Sequence, residues 1–212
     1  MIAGTYVDSN FIVHGFVRNT EGRIKTFEVL GAADTFVNDI NKSDEIAGAY
    51  VDAQFVQHGF LRTSDGTLTT FDALGAGTGS GEGTWGRSIN QEGQIAGYYT
   101  DAENVTHGFV RALDGTIVEF DAPGAGTQLG QGTVPEDVNG KGEIAGYYID
   151  ENGVWHGFLR WPDGTIRKFE FPGKRGVNTA PSCINDGGQI AGYYEWEHQY
   201  DHPHTRGFLR IP

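Results

Sequence analysis

Residues 89–111 read INQEGQIAGYYTDAENVTHGFVR, and the rest of the chain is organised around copies of this stretch. The string Ile-Ala-Gly recurs five times, and its copies begin at Ile2, Ile46, Ile95, Ile144 and Ile190. The copies are therefore 44, 49, 49 and 46 residues apart. A repeat of this length without helical periodicity indicates small sheets, because each unit can bury its faces only against its neighbours.

Each full repeat contains four strand signals. The first is Ile-Ala-Gly with a following Tyr, and the second is His-Gly-Phe-Val/Leu-Arg. The third has alternating apolar positions and ends in Phe and an acid, and the fourth follows a Gly-rich loop and ends in Asn. A two-residue turn such as Asp65-Gly66 is expected between the second and third strands, because this pair favours positive φ.

These signals predict an all-β fold, a five-bladed β-propeller with mostly four-stranded blades and about eighteen strands. A single domain is expected over residues 1–212, built from about 4.5 repeats of 44–49 residues. Since the chain starts and stops inside a repeat, at least one blade should be incomplete or be completed by both ends of the chain. Four blades plus a terminal hairpin is the alternative.

The composition and net charge limit the kinds of partner that the chain is expected to bind. The formal charge is −13, with 28 acidic residues against 15 Lys plus Arg, which argues against nucleic acid and anionic membranes. The Gly-rich loops lack the Lys and the helix of a nucleotide-binding loop, and we predict no cofactor. These loops are expected to border the mouth of the central channel.

Cys183 is the only cysteine, so no internal disulfide can form. The chain opens directly in the first repeat with no signal peptide, and a monomer is favoured.

The repeat unit resembles that of the bacterial extracellular HAF-type repeat proteins. The resemblance is carried by Ile89 to Tyr99, by His107 to Arg111, and by the Asp-Gly-Thr and Phe-Asp-x-Pro-Gly-Ala strings that follow. It covers essentially the whole chain, except that Arg206 replaces the usual His in the last unit. The resemblance implies a propeller-like domain that is often exported, and hence an extracellular or periplasmic location.

Several polar residues recur in register, and we interpret them as structural. Equivalent positions on different blades are spread around a ring, so the repeated His do not converge on a metal. Each His is expected to satisfy a backbone group of its own blade. The repeated Arg, and the acids after the third-strand Phe, are expected to form hydrogen-bonded pairs that tie strands or blades together. The His positions are His14, His58, His107 and His156.

Positions at which the copies disagree are better candidates for a site. If the fourth strand lines the central channel, its variable residues meet near one mouth and form an asymmetric polar site. An Arg fork, two acids and a Trp as an apolar wall would suit a polar or sugar-like ligand. The alternative is that these residues lie exposed at loop edges. The candidate ligand-binding residues are Trp85, Arg87, Asn38, Asp39, Glu136, Asp137, Ser182 and Cys183.

The last unit also departs from the repeat, in its long connection over residues 195–204. His198, His202 and His204 are candidate metal ligands there, because closely spaced His in an extended segment can point to one side. A solvated loop that is rich in His by drift is the competing interpretation.

Three functions remain open at this point. The favoured one is a non-catalytic binding module for carbohydrate or another polar small molecule at the channel mouth. The second is a polysaccharide-active hydrolase or lyase, with Glu136, Asp137 and Arg87 as the candidate catalytic residues. The third is a structural or protein-interaction repeat domain.

Overall fold

The computed structural model describes residues 1–170, 176–196 and 204–212. Within these ranges the chain forms eighteen β-strands and no helix, which confirms the all-β prediction. No helix that could cross a bilayer occurs among these residues. The strands are β1 Ile2–Val7, β2 Val13–Arg18, β3 Ile24–Phe27, β4 Asp34–Ile40, β5 Ile46–Val51, β6 Gln57–Arg62, β7 Leu68–Phe71, β8 Gly83–Ile89, β9 Ile95–Thr100, β10 Thr106–Arg111, β11 Ile117–Phe120, β12 Gly132–Val138, β13 Ile144–Ile149, β14 Trp155–Arg160, β15 Ile166–Phe169, β16 Gly176–Ile184, β17 Ile190–Trp196 and β18 His204–Arg210.

The strands form five antiparallel units, called sheets 1 to 5 in chain order, and the middle three are joined into one twelve-stranded hydrogen-bonded sheet. Sheets 2, 3 and 4 have four strands each (β4–β7, β8–β11 and β12–β15), and sheets 1 and 5 have three (β1–β3 and β16–β18). Single parallel pairings, Gln57 with Gly83 and Thr106 with Gly132, connect sheet 2 to sheet 3 and sheet 3 to sheet 4. The fourth strand of the repeat, which ends before Asn, is therefore the first strand of a sheet, and we call β4, β8, β12 and β16 the inner strands. The terms second strand and third strand keep their meaning in the repeat, the His-Gly-Phe strand and the strand that follows it.

Glycines of the two signature strings are required by phenylalanine rings on the adjacent strand. A Cβ atom on Gly48 would overlap the backbone oxygen of Phe36 and would lie 2.6 Å from the ring of Phe60, and one on Gly59 would lie 2.4 Å from the ring of Phe71. Real Cβ atoms do not approach other heavy atoms this closely, so only glycine lets the ring lie flat across the neighbouring strand. Ile-Ala-Gly and His-Gly-Phe recur together because each depends on the other's geometry.

The same rings form the junctions between sheets. At each junction the third-strand Phe meets the second-strand Phe of the next sheet edge-on, with ring centres 6.0 to 6.2 Å apart. An Arg of that next sheet covers the first ring, with its guanidinium carbon 4.6 to 5.0 Å from the ring centre. The repeated Arg therefore do connect blades, but by cation–π contact, which corrects the predicted hydrogen-bonded pairing. The ring pairs are Phe27–Phe60, Phe71–Phe109, Phe120–Phe158 and Phe169–Phe208, and the covering residues are Arg62, Arg111, Arg160 and Arg210.

An Asn after each inner strand adds a polar link between sheets. The side-chain amide of Asn41 donates to the backbone oxygen of Asn90 at 3.0 Å, and Asn90 does the same to Asn139 at 3.1 Å. Asn139 continues the series with the oxygen of Asn185 at 3.0 Å. The side-chain oxygen of Asn41 meanwhile accepts the N–H groups of its own turn. One residue type thus closes a turn and joins two sheets.

The connection between the second and third strands is longer than predicted. In sheet 2 the N–H of Gly66 donates to Thr63 O, and the N–H of Thr63 donates to Thr67 O, so three residues form the loop. Gly66 has a φ of +96°, which is the left-handed glycine of a G1 bulge after a type I turn. The Asp-Gly pair marks the hairpin correctly, but the two-residue turn is wrong.

The two ends of the array are uncovered. Ile2 of sheet 1 is 55% exposed, whereas its counterparts Ile46, Ile95, Ile144 and Ile190 are fully buried. Leu209 of sheet 5 is 61% exposed, whereas its counterpart Leu61 is 7% exposed. Since no described strand of sheet 1 pairs with sheet 5, the closed five-bladed ring stays a prediction.

The glycine–phenylalanine contact generates a matched pair of substitutions. Gly59→Ala should lower the free energy of unfolding by about 1–3 kcal/mol, because the new methyl group overlaps the ring of Phe71. Gly207→Ala, at the same repeat position in sheet 5, should have almost no effect, since its Cβ would have only Gly192 O within 4 Å, at 3.8 Å. Urea unfolding of both variants is the measurement. Equal losses of stability would contradict the assignment.

Candidate functional site

A cavity of about 320 Å³ lies between the four inner strands, and we call it the axial cavity. Each inner strand contributes two adjacent residues to it. Seven of the eight predicted ligand-binding residues line this cavity, and Ser88 completes the set. The lining residues are Asn38, Asp39, Arg87, Ser88, Glu136, Asp137, Ser182 and Cys183.

A β-bulge in each inner strand brings these pairs of side chains together. The register with the next strand shifts between Val37 and Asp39 in β4, and at the corresponding point in β8, β12 and β16. The extra residue in each strand is left unpaired in the ladder, so two consecutive side chains can reach the same cavity. The sequence shows no signal for these bulges, and only the alignment of the copies pointed to the positions.

Most of the lining groups bond to the next inner strand around the axis. The Asn38 side-chain amide donates to Gly86 O at 2.7 Å, and Arg87 forms an ion pair with Glu136. The carboxylate of Asp39 accepts the N–H of Ile89 at 2.8 Å, and Asp137 accepts the N–H of Ile184 at 2.8 Å. These side chains therefore join the inner strands to one another as well as facing the cavity.

Ser88 connects two carboxyl groups across the cavity. Its hydroxyl oxygen lies 2.9 Å from Asp39 Oδ2 and 2.7 Å from Asp137 Oδ1. A hydroxyl group has one hydrogen, so it can donate to only one of them, and the other contact needs a proton on a carboxyl group. Burial raises the pKa of Asp137, and the nearby charge of Asp39 adds to this. Of the two carboxyl groups in contact with Ser88, Asp137 is therefore the one whose surroundings favour the protonated form.

Tyrosines surround the ion pair of Arg87 and Glu136. Burial lowers the pKa of Arg87, but the hydrogen bond and charge of Glu136 outweigh it, and Tyr98 and Tyr147 act in the same direction. Burial also raises the pKa of Tyr98 and Tyr147, so both stay neutral hydroxyl groups at physiological pH. The Arg87 side chain is still 35% exposed, which leaves part of its guanidinium open to the cavity.

Trp85 does not line the axial cavity, which corrects its predicted role as an apolar wall. Its ring packs against Phe36, with ring centres 5.1 Å apart. Its indole nitrogen is buried and has no hydrogen-bond partner among the described residues. Trp85 lies in β8 two residues before Arg87, and residues two apart in a regular strand point to the same side. The bulge after Gly86 interrupts this alternation, so Trp85 does not share the direction of Arg87.

The repeated histidines are each held between two carboxylates, so the predicted bond to a backbone group is wrong. In sheet 3, His107 Nδ1 lies 3.0 Å from Asp121, and Nε2 lies 3.2 Å from Asp101. The ring also stacks on Tyr99 at 5.0 Å. Burial lowers the pKa of His107, but the two carboxylates outweigh it and raise the pKa above its ordinary value. Both ring nitrogens are engaged, which supports a structural role.

The candidate metal ligands fall mostly outside the described residues. His198 and His202 lie in the undescribed range 197–203, and His204 is exposed at the start of β18. The described ranges contain no group of three His, Cys, Asp or Glu placed to hold a metal ion. The Gly-rich loop at 124–128 lines a separate cavity, and no loop residue is among those that line the axial cavity, which corrects its expected place at the channel.

Comparison with known proteins finds similarity only among solved structures. No protein-family model and no curated protein matches the chain. A variant of Aleuria aurantia lectin in complex with alpha-methyl-L-fucoside is 14% identical with a TM-score of 0.48, over 99% of this chain and 76% of that chain. A variant of AofleA from Arthrobotrys oligospora is 11% identical with a TM-score of 0.33, over 98% of this chain and 81% of that chain. At these values neither structure assigns a ligand to this chain.

The raised pKa of Asp137 generates a prediction about stability and pH. Its folded-state pKa lies above the ordinary value of 3.8, so its contribution is present below pH 3.8 and is lost as the pH rises through the folded value. Asp137→Asn supplies a permanent donor to Ser88 and should raise the melting temperature at pH 7, with little change at pH 3.

Asp150→Asn is the control of opposite sign for the same melting experiments. Burial opposes the shift, but the N–H groups of Val154 and Asn152 together with His156 lower the pKa of Asp150 to about 2. The stability from its carboxylate is present above pH 3.8 and is lost as the pH falls towards 2, so this variant should be less stable than the parent at pH 7. A lower melting temperature for both variants at pH 7 would contradict the upward shift of the Asp137 pKa.

Proposed function

We propose that this chain is a non-catalytic binding module that takes a carbohydrate or another polar small molecule in the axial cavity. The observation that carries the proposal is the convergence of eight polar side chains from four inner strands on one cavity. Their identities differ from strand to strand, so the cavity is asymmetric although the frame around it repeats. An asymmetric set of donors and acceptors is what recognition of one sugar or polar molecule requires.

The cavity offers both donors and acceptors to a ligand. Its volume of about 320 Å³ is near the lower end of the range for small-molecule sites, which suits one sugar ring or a molecule of that size. Glu136 fixes the Arg87 guanidinium by one nitrogen, and the remaining N–H groups of the fork can donate to a ligand. Ser182 and Cys183 are exposed, and Asn38 adds an exposed side-chain amide.

The contacts of the acidic residues favour binding over catalysis. Asp137 uses one oxygen for Ser88 and the other for the N–H of Ile184. Glu136 is held by Arg87 and is only 15% exposed. A general acid or nucleophile of a glycosidase needs a carboxyl oxygen directed at the substrate. The hydrolase or lyase alternative therefore receives no support from these contacts.

The experiment uses Cys183 as a built-in reporter, because it is the only cysteine and lines the proposed site. A glycan array first identifies sugars that the chain binds, and the rate at which iodoacetamide alkylates Cys183 is then measured by mass spectrometry. Saturating ligand should slow alkylation by about tenfold, since a bound sugar covers the thiol. Arg87→Ala should abolish this protection by removing the fork of donors, a loss of about 1.5–3 kcal/mol of binding free energy.

The control variant is Arg167→Ala. Arg167 is an exposed arginine of β15 whose guanidinium lies over Trp161, away from the axial cavity. Its removal should leave both binding and protection unchanged. Failure of every glycan that binds the chain to protect Cys183 would overturn the axial site, and turnover of a bound glycan would favour the enzyme alternative.

We further propose that sheets 1 and 5 close a five-bladed ring around the axial cavity. The support is the identical phenylalanine and arginine contact at all four junctions, together with the exposed apolar residues on the two end faces. Closure would cover Ile2 and Leu209 as their counterparts are covered in sheets 2 to 4.

Ring closure predicts that Leu209→Ser lowers the melting temperature of the monomer by several degrees, about 1–3 kcal/mol, because a buried apolar side chain would be lost. Leu129→Ser, in an exposed loop, should have no effect. Light scattering establishes that the protein compared is monomeric. If both variants melt with the parent, the ends do not cover each other.

A further inference from the structure

A second cavity of about 470 Å³ lies between the Gly-rich loop and sheet 4, and we call it the sheet 4 cavity. Strands β13, β14 and β15 supply its floor, and the loop that enters β12 supplies its wall. It is separate from the axial cavity, because the two share no lining residue. The lining groups used below are Gly124, Tyr148, Asp150, Glu151, His156 and Lys168.

Sheet 3 reveals which chemical group this place accepts. There the carboxylate of Glu119 takes a hydrogen bond from the hydroxyl of Tyr99 at 3.1 Å. Its other oxygen accepts the backbone N–H of Gly75 at 3.1 Å. Both donors belong to the same repeat positions as Tyr148 and Gly124 of sheet 4. In sheet 3, the position that corresponds to the sheet 4 cavity is thus occupied by a carboxylate of the chain itself, that of Glu119.

Sheet 4 has no carboxylate of its own at that position. Lys168 replaces Glu119, since both residues directly precede the third-strand Phe. Tyr148 as a whole residue is 2% exposed, its side chain lines the cavity, and its hydroxyl forms no hydrogen bond to any residue in the described ranges. A ligand in the cavity can therefore accept a hydrogen bond from this hydroxyl. In sheet 4, Lys168 therefore takes the position of the carboxylate that accepts from Tyr99 in sheet 3. The hydroxyl of Tyr148 has no such acceptor, and an ammonium group lines the same cavity.

The surrounding frame is the same in both sheets. Gly77 donates to Thr100 O at 2.9 Å, and its counterpart Gly126 donates to Ile149 O at 2.8 Å. The exception is Gly124, which has a φ of +100°, whereas its counterpart Gly75 is not in the left-handed region. Because the backbone of these two glycines differs, we do not assign the ligand to the N–H group of Gly124. We assign it to the hydroxyl of Tyr148 and the ammonium group of Lys168.

We propose that the sheet 4 cavity binds the carboxylate of a uronic acid sugar, at a site independent of the axial cavity. The ligand carboxylate takes the place that Glu119 occupies in sheet 3, accepts from Tyr148 and pairs with Lys168. The exposed carboxylate of Glu151 accepts hydrogen bonds from the sugar hydroxyls. A volume of about 470 Å³ holds one or two sugar rings.

The acidic groups of the cavity favour a sugar over a simple carboxylate. Asp150 is already bonded to the N–H groups of Asn152 and Val154, and its other oxygen faces His156 at 3.2 Å. A small anion such as acetate could pair with Lys168, but it would offer no hydrogen-bond donor to the nearby carboxylate of Glu151. A uronic acid offers hydroxyl donors to that same carboxylate, which turns repulsion into hydrogen bonding.

Calorimetric titration of the full chain tests the ligand class. The probes are a trigalacturonate, its methyl ester and acetate. The acid should bind about tenfold or more tightly than the ester, because only the acid can form the charge-assisted contact with Lys168. Its affinity should also fall as salt rises. Equal affinity for acid and ester, or acetate binding as tightly as the trisaccharide, would overturn the proposal.

Variants that exchange the two sheets test the position. Lys168→Glu restores the sheet 3 arrangement and should abolish binding, and Tyr148→Phe should weaken it by about tenfold without changing charge. Glu119→Lys should raise the stoichiometry towards two ligands by opening the equivalent site in sheet 3. Lys25→Glu is the control for charge alone, because Lys25 is exposed on β3 in sheet 1. Unchanged binding in Lys168→Glu and Tyr148→Phe would sink the assignment.

The two proposed sites fail independently. Uronate binding should leave the alkylation rate of Cys183 unchanged, because that residue lines the axial cavity and not the sheet 4 cavity. Protection of Cys183 by the uronate would place the ligand in the axial cavity and overturn the sheet 4 assignment.

Discussion

The packing of phenylalanine rings across glycine backbone is the constraint on which the rest of this structure depends. Within a sheet, Phe60 lies over Gly48 and Phe71 lies over Gly59. Between sheets, Phe27 or Phe71 forms an edge-to-face pair with the next second-strand Phe, and the guanidinium group of an Arg lies over its ring. Each ring therefore fixes the spacing of two strands and the position of the next sheet. A larger residue at the glycine would displace the ring and with it the junction.

The axial cavity follows from this regularity. Because the junctions are alike, the inner strands come to equivalent places, and one bulge in each presents two side chains to a common space. The frame is uniform, so the chemistry of the cavity depends only on which residues occupy those eight positions. The contacts of the Ser88 hydroxyl with Asp39 and Asp137 arise in this way, from two acids and a hydroxyl at equivalent positions of three strands.

The repeat made the fold class and the positions of the inner-strand pairs accessible from sequence. Strand order, the hairpins and the grouping of Asn38, Arg87 and Glu136 follow from period and alignment alone. The three-residue turns did not, because Asp-Gly supports both a two-residue turn and a G1 bulge. Trp85 was misplaced because a bulge reverses side-chain alternation and has no sequence signature here.

The partners of the repeated polar residues were also out of reach of the sequence. His107 has acids both six residues before it and fourteen after it, and only the pairing of β9, β10 and β11 brings both to its ring. The same holds for Lys168, which appears in sequence as an ordinary exposed lysine of a short strand. Its significance depends on the contacts that Glu119 makes at the same place in another sheet.

The position before the third-strand Phe has a broader consequence. It is Thr26, Thr70, Glu119 and Lys168 in successive sheets, while the rings and junctions around it stay constant. A substitution at this position would change the side-chain chemistry of one sheet and leave those junctions in place. Such an architecture can diversify sheet by sheet, and several sites of the proposed kind on one rigid scaffold would together bind a polymer with an avidity that no single site provides.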